Sequence, residues 1–146
     1  MDLTKLVEMS NKHGKNPDLV LAGGGNTSCK KDGVLYVKCS GTSLGTITEE
    51  GFVAMDIAKL TALMEKEYPA EDAAREAAFL KDVMDARCDE DLSKRPSVEA
   101  LLHSLFPQTY VLHIHPALIN GLTCSRGGEE LAREILGAQM IWIPIC

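Results

Sequence analysis

The chain has 146 residues, of which 45% are hydrophobic and 25% are charged, and its formal net charge is −6. These values are typical of one globular domain and argue against a nucleic-acid partner, whose phosphates attract basic proteins. The five cysteines contain no C-x-x-C pair, and neither an export signal nor a lipid-spanning segment is evident, so we expect a cytoplasmic protein with no membrane partner.

The first half of the chain is predicted to alternate between helices and strands. Helical spacing covers residues 3–13, and the KKDG segment predicts a hairpin turn ahead of the strand VLYVK. GFVAMD reads as another strand, after which Asp56 is expected to cap a helix that runs to about Lys66. Residues 73–87 combine Ala, Leu and Met with charges at i,i+4, a composition that predicts a further helix.

The second half continues the alternation. Pro96 and Ser97 are expected to open the helix VEALLHSLF, TYVLHIH is predicted as a buried strand, and residues 117–136 as one or two short helices. MIWIPIC is predicted as a last strand. This order favours a single α/β layered domain over residues 1–146. Because the last predicted strand stops at Cys146 without a turn, we expect the domain to be incomplete at its C-terminus.

Two histidines, His113 and His115, stand one residue apart in the strand TYVLHIH. Side chains alternate faces along a strand, so both imidazoles are expected to point the same way. An H-x-H pair at a strand end can present two nitrogens to Zn²⁺ or a similar ion. The competing interpretation is a pair of core histidines with their own hydrogen-bond partners.

Glu99 and His103 stand four residues apart in the next predicted helix and therefore share one face. A carboxylate near a metal can be a ligand, a general base, or each in turn. The alternative for Glu99 is interaction with the helix dipole, since acidic residues are common at helix N-termini. His103 is expected to be a packing or surface residue rather than a ligand.

Three turns are rich in hydrogen-bond donors: GGGNTS at residues 23–28, KCSGTSLGT at residues 38–46, and the helix start at Ser97. Glycines and hydroxyl residues let the backbone approach an anion, although GGGNTS matches neither the dinucleotide nor the P-loop pattern. Each turn alone is common. Their coincidence indicates an anion site.

The ordered set of GGGNTS, SGT followed by ITEEGFVAMD, PSVE with LLH, and H-x-H resembles the class II aldolase/adducin family. Within that family it is most similar to the aldolase part of the bifunctional rhamnulose-1-phosphate aldolase/alcohol dehydrogenase proteins. The resemblance runs from about Leu21 to the C-terminus. It implies a three-layer α/β/α domain with a central, mainly antiparallel sheet, and a symmetric homo-oligomer, usually a tetramer.

The resemblance also implies roles for individual residues. His113 and His115 would bind Zn²⁺, and Glu99 would be the catalytic acid/base. The residues that would hold the substrate phosphate are Gly25, Asn26, Ser40, Gly41 and Ser97. The implied reaction is the reversible aldol cleavage of a ketose 1-phosphate, such as rhamnulose 1-phosphate, to dihydroxyacetone phosphate and an aldehyde.

The sequence departs from the family pattern in two places. No histidine follows His115, so the family's third zinc histidine has no counterpart here; Glu99, Cys146 or a partner chain could supply a ligand, with Cys146 the least favoured. Val98 follows Ser97 where sugar-phosphate aldolases often have a second serine. The alternatives are a pentulose-phosphate 4-epimerase of the same fold and a non-catalytic, adducin-like interaction module. No nicotinamide chemistry is predicted.

Overall fold

The strands of the computed structural model, which describes residues 2–88 and 93–144, form one antiparallel sheet. The strands are β1 (Asn26–Lys31), β2 (Val34–Lys38), β3 (Phe52–Asp56) and β4 (Tyr110–His113), in the spatial order β3-β2-β1-β4. The helices are α1 (Thr4–Gly14), α2 (Ile57–Ala62), α3 (Asp72–Asp85), α4 (Ala100–Leu105), α5 (Ala117–Thr123) and α6 (Gly128–Leu136). Among the described residues, every helix is too short or too polar to span a lipid bilayer.

The β1–β2 hairpin confirms the turn predicted at KKDG. Asp32 and Gly33 have φ angles of 51° and 80°, the left-handed values that a tight hairpin turn requires. The opposite edge of β1 pairs with the distant strand β4, so that Asn26 lies beside His113. This long-range pairing brings the GGGNTS segment next to the H-x-H pair.

Helices cover both faces of the sheet, which gives the predicted three-layer arrangement. On one face, alternate residues of β2 and β3 pack against α2, α3 and α4; the buried residues include Leu35, Val37, Val53, Met55, Leu60, Val83 and Ala100. On the other face, Leu3, which precedes α1, and Leu6 of α1 pack with Cys29, Ile47 and Phe52. The period-two alternation of the strands therefore assigns one set of side chains to each layer.

Most of the predicted helices are confirmed. The Asp56 carboxylate accepts the backbone N–H of Lys59 at 3.1 Å and caps α2, which is followed by a single 3₁₀ turn at Leu63–Glu65. The predicted helices at residues 3–13 and 73–87 correspond to α1 and α3. The short helices α5 and α6 fill residues 117–136 as expected.

The predicted start of the fourth helix is wrong. Pro96 forms an isolated bridge with Cys39, and the Ser97 N–H donates to the Lys38 carbonyl at 3.1 Å. Because these contacts tie residues 96–97 to the end of β2, the chain cannot turn into a helix there. α4 begins at Ala100, with Glu99 as its N-cap residue.

The predicted last strand, MIWIPIC, is also wrong over its described residues, 140–144, which have no regular structure. Ile141 and Ile143 have 88% and 77% of their surface exposed. A strand is stabilised by pairing with a neighbour, and none of the described strands pairs with this segment. Its last two positions, including Cys146, lie outside the described residues.

Candidate metal centre

His113 and His115 converge as predicted. His113 is the last residue of β4, and His115 lies two residues beyond it, where its backbone N–H donates to the Leu19 carbonyl at 3.0 Å. The Nε2 atoms of the two rings are 3.0 Å apart, and the ring centroids are 4.8 Å apart. The two imidazoles therefore direct one nitrogen each to the same point.

Glu99, at the N-terminus of α4, approaches the other ring nitrogen of His113. Its Oε1 lies 3.2 Å from Nδ1 of His113, and its Oε2 accepts a hydrogen bond from Nδ2 of Asn26 at 2.9 Å. The Ser97 hydroxyl donates to Oε2 over a longer distance, 3.4 Å. Glu99 thus joins the strand pair β1–β4 to the helix that follows Ser97.

These contacts set the charges of the site. The His113 imidazole, 3.2 Å from the carboxylate, and the hydrogen bond from Asn26 outweigh burial and lower the pKa of Glu99 to about 2. The same carboxylate raises the pKa of His113 above its ordinary value. At neutral pH Glu99 is therefore an anion that stabilises positive charge beside it.

The donor set fits a divalent cation. One ligand atom from each of Glu99, His113 and His115 can be chosen so that all three lie within 4.8 Å of one another. A tetrahedral zinc ion with Zn–N bonds of about 2.0–2.1 Å separates its nitrogen ligands by roughly 3.3 Å, close to the 3.0 Å between the two Nε2 atoms. Two histidines and a carboxylate form a common catalytic zinc set.

His103, predicted to be a packing or surface residue, is a packing residue in the structure and is not among the three residues of this donor set. Its side chain is fully buried, and its Nδ1 is 2.8 Å from the Ser28 hydroxyl. The ring centroids of His103 and His113 are 6.3 Å apart. Burial lowers the pKa of His103 to about 4, so its imidazole is neutral at physiological pH.

The five predicted phosphate residues are placed in two groups. Asn26 and Ser97 are buried and contact the Glu99 carboxylate, so they lie within the candidate metal centre. Gly25 precedes Asn26 with a φ of +74°, and a Cβ there would lie 2.9 Å from Leu44 Cδ1 and 3.0 Å from the His113 carbonyl. A side chain at this position would therefore be both strained and crowded.

Ser40 and Gly41 lie further out, in an exposed turn after β2. The Ser40 N–H donates to the Arg95 carbonyl at 2.8 Å, which places this turn beside the segment that leads to Ser97. Gly41 has a φ of +83° and open space around it. The turn thus lies beside Arg95, and within the described part of the chain the contacts of the Glu99 carboxylate are with Asn26, Ser97 and His113.

Lys38 is a buried cation that the sequence marked only as the first residue of a donor-rich turn. It is 5% exposed, and burial lowers the pKa of its ammonium group, an effect that the nearby charge of Glu99 opposes. Among the residues that the structure describes, no carboxylate lies within ion-pair distance of it. Its position at the end of an apolar strand was the one signal of burial in the sequence.

A family model supports the resemblance found in the sequence. Residues 4–144 match the model described as the class II aldolase and adducin N-terminal domain. A solved structure of the N-terminal class II aldolase domain of a conserved protein from Thermoplasma acidophilum is 32% identical, with a TM-score of 0.78. The match covers 94% of this chain and 65% of that one.

Two other proteins are more distant or much longer. The L-fuculose-1-phosphate aldolase of Thermus thermophilus is 15% identical, with a TM-score of 0.47, over 86% of this chain and 53% of that chain. A curated relative from Bacillus subtilis (strain 168), the uncharacterized oxidoreductase YuxG, is 30% identical over 149 residues, which cover 96% of this chain and 21% of the relative. The chain thus spans about a fifth of that relative's length.

Proposed function

Because this chain belongs to the class II aldolase and adducin N-terminal domain family, we propose that it carries the active site of a zinc-dependent sugar-phosphate aldolase. The reaction is the reversible cleavage of a ketose 1-phosphate, such as rhamnulose 1-phosphate, to dihydroxyacetone phosphate and an aldehyde. The main support is the convergence of Glu99, His113 and His115, whose ligand atoms can lie within 4.8 Å of one another.

The chemistry needs an electron sink and a proton carrier. In cleavage, the C4 hydroxyl would give its proton to the ionised Glu99 carboxylate, the C3–C4 bond breaks to release the aldehyde, and the electron pair is left on C3, conjugated with the C2 carbonyl. A divalent cation held by His113 and His115 would supply Lewis-acid polarisation of the ketone and hydroxyl oxygens. Glu99 would return a proton to C3 in cleavage and remove it in condensation.

Glu99 is suited to this proton transfer by position and charge. In the metal-free chain it is ionised at neutral pH, because its pKa is held at about 2, and it is therefore in the form that can accept a proton. It is part-buried, with 29% of its side chain exposed, and a substrate could therefore reach it. Its bonds to Asn26 and Ser97 fix the direction of the carboxylate.

The substrate phosphate would be held by Gly25, Asn26, Ser40, Gly41 and Ser97. Asn26 and Ser97 support this assignment because they lie against Glu99, so a phosphate bound to them would place the adjacent carbons beside the carboxylate. Neutral N–H and hydroxyl donors can bind phosphate without adding a competing charge to the site. We expect the protein to be cytoplasmic and to assemble as a homo-oligomer, a tetramer by family resemblance.

The proposal is tested by metal analysis and product analysis. The purified chain is loaded with zinc and compared with His113→Ala/His115→Ala and with His13→Ala, a control that alters a histidine of α1 outside the centre. We expect about one zinc per wild-type and control chain and none in the double variant. Equal, negligible zinc in all three would refute the metalloenzyme and favour the non-catalytic module.

Product analysis then separates the two enzymes of this fold. Rhamnulose 1-phosphate and a pentulose 5-phosphate are each supplied to the zinc-loaded chain. Dihydroxyacetone phosphate from the first substrate supports the aldolase, whereas an epimeric pentulose phosphate from the second, without cleavage of the first, supports the 4-epimerase.

A further inference from the structure

Gly24 lies directly against the imidazole of His115. A Cβ added to Gly24 would be 3.3 Å from Nδ1 and 3.9 Å from Cγ of that ring, and 3.0 Å from the Leu21 carbonyl oxygen. Its φ is outside the left-handed region, so backbone freedom does not explain the glycine. The neighbouring Gly23 also has an ordinary φ, but a Cβ there would meet nothing within 4 Å.

The segment that contains Gly24 also fixes the backbone of His115. The His115 N–H donates to Leu19 at 3.0 Å, and the Gly24 N–H donates to Leu21 at 3.0 Å, which closes the turn over the ring. β4 ends at His113, so His115 has no partner strand. Among the described residues, its ring is hydrogen-bonded only through Nε2, to His113. Packing against Gly24 therefore controls the opposite edge of the ring.

We propose that Gly24 is a positioning residue for His115, because the absence of a side chain at residue 24 lets the ring turn its Nε2 towards His113. The inference rests on the proposed function, in which His115 is a metal ligand. A contact of 3.3 Å is closer than nearly all real Cβ contacts, so a methyl group would displace the ring by a few tenths of an ångström. The ligands of a metal site must be held within about 0.5 Å and 10–20° of the productive geometry, so a shift of this size takes up much of that margin.

The first experiment measures zinc affinity by competition with a chromophoric chelator for the wild-type chain, Gly24→Ala and Gly23→Ala. Gly23→Ala is the matched control, since it adds the same methyl group one residue away in open space. We expect zinc affinity to fall up to about 10-fold in Gly24→Ala, the lower end of the usual cost of disturbing a ligand's support, and to change less than about twofold in Gly23→Ala. Equal affinities in the two variants would overturn the inference.

The second experiment asks which neighbour the methyl group meets, and it needs no metal. The denaturation midpoints of the metal-free chains give the cost of Gly24→Ala relative to Gly23→Ala, first with His115 present and then in a His115→Ala background. The Leu21 carbonyl, 3.0 Å from the added Cβ, contributes to the cost in both backgrounds. If the imidazole also opposes the methyl group, the cost is smaller in the His115→Ala background. An equal cost in both backgrounds would show that the Leu21 carbonyl alone opposes it, and the inference would be wrong.

The two experiments also separate this inference from the proposed function. A wild-type chain that binds no zinc refutes the metal centre, while the metal-free comparison still decides whether Gly24 positions the His115 ring. Zinc binding by the wild type with equal binding by Gly24→Ala refutes the inference alone. The visible spectrum of the Co²⁺-loaded chains provides a check on coordination, since a displaced ring changes the absorption bands of the metal.

Discussion

Asn26 donates a hydrogen bond of 2.9 Å to the carboxylate of Glu99, although the two residues are 73 positions apart in the chain. Asn26 begins β1, and Glu99 stands before α4, so this bond connects the sheet to the helix that covers it. The bond makes Asn26 a determinant of the charge of Glu99 as well as a candidate phosphate residue.

Asn26→Ala should raise the pKa of Glu99, because the amide donor stabilises the carboxylate. The depressed pKa contributes stability above the unfolded value near 4.5, which is lost as pH falls towards 2. The variant should therefore lose part of the stability that comes from the depressed pKa. The total loss in the free energy of unfolding at neutral pH should be about 1–3 kcal/mol. Carbon-13 NMR titration of the Glu99 carboxyl measures the shift. Asn11→Ala, which removes an amide bonded to Ile47, is the control; equal pKa values in both would contradict the prediction.

His103 should make the protein less stable in weak acid. Burial lowers its pKa from 6.5 to about 4, so the unfolded chain binds a proton in that window and the folded chain resists it. Stability attributable to this group is complete above pH 6.5 and falls, by at most about 3 kcal/mol, as pH drops towards 4. Denaturant unfolding of wild type and His103→Gln at several pH values should show a shallower pH dependence in the variant. If the free energy of unfolding has the same pH dependence in wild type and His103→Gln, the prediction is contradicted.

Zinc affinity should decrease as pH falls through the raised pKa of His113, because protons compete with the metal for its nitrogen. Glu99→Gln removes the carboxylate that raises this pKa, so the affinity loss should begin at a lower pH, whatever the change in affinity at pH 8. Glu50→Gln alters an exposed acid and serves as the control. Chelator competition between pH 5.5 and 8 measures zinc affinity as a function of pH. If the pH at which half of the affinity change has occurred is the same in Glu99→Gln and wild type, the result would count against the His113–Glu99 interaction.

Lys38→Met should leave the metal-free protein at least as stable as the wild type. Burial lowers the Lys38 pKa, so the folded state disfavours the charged ammonium group, and wild-type stability should rise with pH between the lowered pKa and 10.5. Methionine fills similar volume without the charge. The denaturation midpoints of Lys38→Met and the exposed control Lys31→Met, at pH 7 and 10, test this. A marked loss of stability in Lys38→Met alone would show that the ammonium group makes a favourable contact.

Local signals in the sequence were sufficient for much of the fold. The turn at Asp32–Gly33 and the cap at Asp56 each depend on residues a few positions apart, and both are present as predicted. The convergence of His113 and His115 follows from the period of a strand and is also confirmed. Such features are set by backbone geometry over a short range, so a single sequence reveals them.

The remaining features depend on contacts between distant segments. The start of α4 is delayed because Pro96 bridges to Cys39, far earlier in the chain. The apolar residues at 140–144 match a strand pattern, but no described strand pairs with them. No periodic pattern in the sequence predicts the contact of Gly24 with His115 or the burial of Lys38. Composition and spacing cannot reveal these pairings.

The place of β4 in the sheet has a dynamic consequence. β4 pairs with β1 on one side, and in the part of the chain that the structure describes no strand lies on its other side. An outer strand opens more readily than an inner one, so the amide hydrogens around His113 should exchange with deuterium sooner than those of β2. A cation that links His113 to Glu99 would connect the edge strand β4 to α4. Amide hydrogen exchange in β4 should therefore slow when the ion is added.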